Sequence, residues 1–137
     1  MTRSRRKKRL RQALLIGAPH EGDISMHNDL AAMHDALRTR GLAPEEILSL
    51  EGNLDRQILL TFLEGVSRRI AHWSEGELFI YLSGHGVFTG DTFEEARLGI
   101  MLQNAAPGSS ARHVYWEEAF SALSIPEAVT FTMLIDH

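Results

Sequence analysis

The sequence predicts an α/β fold, a three-layer α/β/α sandwich around a mostly parallel sheet. Two observations carry that expectation. Four short runs, "ALLI" (13–16), "ILSL" (47–50), "ELFIYLS" (77–83) and "VTFTMLI" (129–135), have the length and apolar content of buried strands. Between them lie stretches whose apolar residues recur at helical spacing, and strands alternating with helices are the pattern of a parallel sheet covered on both faces. A chain of 137 residues, 44% hydrophobic and 23% charged, is long enough to bury one such core. No internal repeat or second domain is visible.

The elements follow in order. Residues 13–16 end at Gly17, and the polar "APHEGDISM" that comes next has the proline and glycine of a loop. A helix is expected from about Asn28, with Leu30, Met33 and Leu37 on one face, Asp29 in the first turn and a left-handed stop at Gly41. Asn28 or Ser25 is placed to cap it. After the second strand, Asn53 opens a second helix in which Leu59, Phe62, Leu63, Val66 and Ile70 share a face. Gly76 closes that connection. "ELFIYLS" is the strongest strand and is expected to end as it runs into Gly84, His85 and Gly86, which make either a glycine-rich turn with an incidental histidine or a functional histidine at the strand end. Residues 87–112 hold Gly90, Pro107, Gly108 and two serines, a loop around one short strand, "LGIML". "VYWEEAFSAL" supplies a third helix with Trp116, Phe120 and Leu123 inward, "SIP" turns the chain, and the last strand follows.

Composition narrows the chemistry. There is no cysteine, so these residues build no disulfide, thiolate zinc site or cysteine nucleophile. The formal charge of -4 is uneven: "RSRRKKRLR", residues 3–11, holds seven of the fourteen Lys and Arg, while all eighteen acids come later. Such a run suits nucleic acid or an anionic membrane, but a solvated, disordered extension is the commoner behaviour, and residues 1–12 are assigned to a basic tail on that ground. The five apolar residues after it are too few for a signal peptide, and no stretch approaches membrane-spanning length, which makes a cytoplasmic protein the expectation.

In an open parallel sheet the chemistry gathers beyond the carboxyl ends of the strands. Three places qualify: the loop after Gly17, the "SGHG" at residues 83–86, and the "DH" at residues 136–137. Gly17 and Gly22 have P-loop spacing, but Asp23 and Ile24 stand where Lys and Ser or Thr are required, and a carboxylate would face the phosphate. His20, His27 and His34 recur every seven residues without forming a metal-ligand pattern; His20, His34, His72 and His113 read as single surface histidines. His85 differs, because it leaves a core strand between two glycines whose backbone can approach a substrate closely. From the residues alone, a functional histidine and an incidental one remain equally open.

Four segments in order carry a resemblance: "ALLIG", "MHNDLAAMHDALRTRGL", "FIYLSGHG" and "SALSIPEAVTFTMLID". Together they resemble the caspase-like cysteine peptidase superfamily, its metacaspase and bacterial caspase-like branch, over almost all of residues 13–137. The resemblance implies a caspase-like fold and cysteine-endopeptidase activity. It implies His85 as the catalytic acid-base that activates a thiol and protonates the leaving amine, and the Gly86 amide as one oxyanion-hole donor. Asp29 and Asp136 would line the specificity pocket, and two carboxylates in one pocket imply a protein or peptide substrate cleaved after Arg or Lys. Without the resemblance, Asp29 is a helix-terminus charge and Asp136 a solvated acid. No metal or cofactor is implied, and calcium dependence, which occurs in related enzymes, leaves no mark on these residues.

Departures from the pattern matter equally. With Asp136 as the acid of the family's Asp-x-Cys, the nucleophile would follow His137, outside this chain. The family sheet has six strands and four are expected here, so residues 13–137 would form the amino-terminal portion of the domain, incomplete at its carboxyl end and inactive alone. A catalytically dead caspase-like module serving as a scaffold, and a generic small-molecule-binding α/β domain, are the alternatives. The basic tail offers self-processing sites to an enzyme of Arg or Lys preference, and an unpaired last strand would invite association.

Overall fold

A computed structural model describes residues 10–18, 25–52, 54, 56–89, 92, 97–101 and 113–136; the side chains of 25–26, 85–89, 97–101 and 113 lie outside that description. The basic run at residues 1–9, residues 19–24 with His20, where the sequence predicts a loop, and His137 fall outside the described residues.

Strand β1 (Arg11–Ala18) is buried almost end to end and forms the centre of the sheet with β3 (Gly76–Thr89). Strand β2 (Ile47–Glu51) pairs with the other side of β1, and β6 (Val129–Asp136) pairs with β3, all in parallel. The order β2-β1-β3-β6 gives a four-stranded parallel sheet, compatible with a Rossmann-like sandwich. Helix α1 (Ser25–Thr39) covers one face, where Leu30 and Leu37 meet Ala13, Leu15 and Tyr81. On the other face, α2 (Arg56–Ile70) and α3 (Trp116–Ala122) enclose Leu14, Ile16, Leu78, Ile80 and Leu82. The alternation of side chains along β1 and β3 divides these two apolar sets. The α/β expectation therefore holds.

Local chemistry explains the element ends. Gly41 adopts φ 97° and ends α1, with Leu42 N–H donating to Leu37 O at 3.1 Å and Gly41 N–H to Arg38 O at 3.0 Å, the paired bonds of a Schellman stop. Leu42 and Leu37 are buried together beneath it. A 3-10 turn at Pro44–Glu46 leads into β2, and its Glu46 carboxylate accepts the Ala43 N–H at 2.8 Å. At the end of α3, the Ser67 hydroxyl of α2 accepts the Ser124 N–H at 2.9 Å, and an Arg56–Glu118 ion pair ties the two helices.

Five expectations are corrected. The first strand begins before residue 13: Arg11 and Gln12 belong to β1, where the Gln12 side-chain amide donates to Glu46 O at 2.9 Å and the Arg11 guanidinium to Gly41 O at 3.1 Å. Helix α1 starts at Ser25, which puts Asn28 and Asp29 inside the helix rather than at its start. Its first turns carry exposed His27 and Asn28, so apolar periodicity leaves them out. Helix α2 starts at Arg56, three residues after Asn53. Gly84, His85 and Gly86 do not form a turn. Strand β3 continues through them to Thr89 because residues 85–89 pair antiparallel with β4 (Arg97–Met101), which overlaps "LGIML" and pairs in turn with β5 (His113–Tyr115). Finally, α3 is shorter than expected, and Phe120 is 45% exposed, packing edge-on against Phe131 rather than into the core.

Candidate functional site

Strand order locates the site. From β1 the chain moves outward to β2, then returns across the opposite face to β3 on the other side of β1, so the order reverses between β1 and β3. In open α/β sheets, ligands bind beyond the carboxyl ends of the strands at such a reversal, and here β1 and β3 stay paired up to Ala18 and Gly84. One transverse row crosses this edge: Glu51 is in register with Gly17, Gly17 with Ser83, and Ser83 with Asp136. Gly17 makes the row accessible to α1. A Cβ at this position would lie 2.5 Å from Leu30 Cδ1, so the absent side chain lets α1 sit directly on the strand end, with Asp29 beside Leu30.

The centre of the site is Tyr81. Its ring packs in the α1-side core and is 4% exposed, while its hydroxyl donates to Asp136 Oδ2 at 3.0 Å. The two residues are diagonal neighbours, since Tyr81 is in register with Leu134 and Asp136 lies two residues further along β6. Burial, the hydrogen bond from Tyr81 to Asp136, and the charges of Asp136 and then Asp29 push the phenol from its ordinary 10 up to about 12; a hydrogen bond with Ser83 works against them. Both expected pocket acids thus act on one phenol from different elements, Asp29 from α1 and Asp136 from β6. Asp29 is half-buried and Asp136 exposed, so each keeps access to a ligand.

His85 and Gly86 follow Ser83 on β3, opposite Met101 and Ile100 of β4. They hold a fixed strand position two and three residues beyond Ser83. A second polar pair occupies the β2 end, where His27 Nδ1 lies 2.8 Å from Glu51 Oε1 at a hollow of about 170 Å³ that also touches His34. Among the described residues, no group of three His, Asp or Glu is arranged to hold a metal. A hollow of about 590 Å³ lies toward the amino ends of the strands between α1 and β6, lined by Met33, Arg40, Phe79 and Thr132 among others. Its position at the opposite edge of the sheet separates it from the Tyr81 cluster.

Sequence reasoning passed over Tyr81 and Ser83. Their signal is the pair of hydroxyls at alternate positions in an otherwise apolar strand, "FIYLSG", which puts both on one face and requires buried partners. No family model matches the chain, and no curated protein matches it.

Proposed function

We propose that residues 11–136 form part of a caspase-like cysteine endopeptidase that cleaves after Arg or Lys. The observation that carries this reading is the convergence of Asp29 and Asp136 on Tyr81 at the carboxyl edge of the sheet, beside the strand that continues to His85. One carboxylate, Asp136, bonded to the phenol and a second, Asp29, whose charge acts on the same phenol from α1, would suit a cation, and a peptide's guanidinium or ammonium group is the cation such a site would select.

On this reading His85 acts as general base and acid toward a thiol and a leaving amine. The Gly86 amide donates to the oxyanion of the tetrahedral intermediate, polarising the carbonyl as charge develops on it. The 137 residues contain no cysteine, so the nucleophile is supplied from outside them.

The test is hydrolysis of peptide amides by the natural protein together with whatever coding sequence follows His137. Activity that is abolished by thiol alkylation and falls at least a hundredfold in His85→Ala is the expected result. A folded protein without such activity would move the assignment to a scaffold module.

A further inference from the structure

We propose that Tyr81 is a positioning residue, whose hydroxyl bond to Asp136 Oδ2 at 3.0 Å fixes that carboxylate for two-point contact with a guanidinium. The inference rests on the acidic-pocket reading above and adds the residue that sets the pocket's shape. Asp136 sits near the end of β6 with its side chain exposed, a setting in which a carboxylate rotates freely. Tyr81 is the opposite case. Its ring is held among Ala13, Leu15, Leu30 and Leu37, so core packing determines where the hydroxyl lies. The single O–H then transfers that fixed position to the mobile acid.

The stoichiometry of the contact supports the ligand class. A carboxylate offers about four lone-pair sites across its two oxygens, and Tyr81 occupies one of them on Oδ2. Both oxygens therefore retain acceptor capacity in a defined plane, which matches the planar fork of a guanidinium. An ammonium, a point charge with rotatable donors, gains much less from a fixed plane. Ser83, 3% exposed and two residues along the same face of β3, adds a second polar contact to the phenol. Tyr81 thus separates guanidinium from ammonium affinity, while the charge of Asp136 serves both.

Titration of the 137-residue chain with ethylguanidinium and with butylammonium, followed by NMR chemical shifts, tests this. Tyr81→Phe is expected to weaken ethylguanidinium binding about fivefold, the value of one lost hydrogen bond, and to change butylammonium binding less than twofold. Asp136→Glu retains the charge on an exposed side chain but moves the carboxylate off the Tyr81 hydroxyl. It should show the same selective loss, which keeps the test open if Tyr81→Phe does not fold. Equal weakening of both cations, or no weakening, overturns the positioning role alone. Failure of the unmodified chain to bind either cation overturns the acidic pocket with it.

Discussion

Tyr81 links the stability of the fold to its polar edge. The folded chain holds this phenol neutral up to about pH 12, whereas its ordinary value is 10, so folding favours the protonated form. The corresponding stabilisation is complete below pH 10 and is lost as pH rises from 10 to 12. Urea unfolding of the chain should show that loss across the interval, and Tyr81→Phe should show a flatter profile there after giving up about 1 kcal/mol at neutral pH. Parallel profiles for the two proteins would contradict the role assigned to this hydroxyl. Gly17 makes a second residue-scale case. Gly17→Ala places a methyl group 2.5 Å from Leu30 Cδ1, and overpacking of that kind costs about 1–3 kcal/mol. Denaturation of the variant is expected to show that cost, together with displacement of α1 and of Asp29 with it.

At the scale of elements, the core strands and the apolar faces of the helices were legible because burial imposes a period on them. Leu59, Leu63, Val66 and Ile70 of α2 are buried as their spacing predicts, as are Leu30 and Leu37 of α1. What periodicity could not show were features set by polar or non-local bonds. The entry of Arg11 and Gln12 into β1 depends on partners about thirty residues away, Gly41 and Glu46. The continuation of β3 past Gly84 depends on pairing with β4, and glycines at this point locally suggest a turn. Strand β6 shows a different consequence. Among the described residues it pairs with β3 alone, Thr130, Thr132 and Leu134 are exposed on its α1 side, and "VTFTMLI" contains no charge or proline to discourage pairing. We propose that this edge associates. Sedimentation of the 137-residue chain should show concentration-dependent self-association that Thr132→Lys suppresses, and a monomer at high concentration would contradict it.

Across the whole molecule, topology does what no single motif accomplishes. The reversal of strand order between β1 and β3 puts α1 and β6, elements about a hundred residues apart in the chain, beside the same phenol. In the sequence, Asp29 and Asp136 could be paired only through family resemblance; the fold gives a physical route, a helix resting on Gly17 and an edge strand in register with Ser83. Tyr81 stayed hidden because an aromatic residue in a buried strand reads as core, which its ring is. On the proposed function, these two acids select a basic residue for cleavage. The most direct measurement is the cleavage profile of the natural active protein on a peptide library varied at the residue before the scissile bond, for the wild type and for Asp29→Asn and Asp136→Asn. Cleavage confined to Arg and Lys, with kcat/KM reduced at least tenfold in each variant, is the predicted result. Cleavage after Asp or after neutral residues, or a preference for Arg and Lys that survives both substitutions, would contradict it.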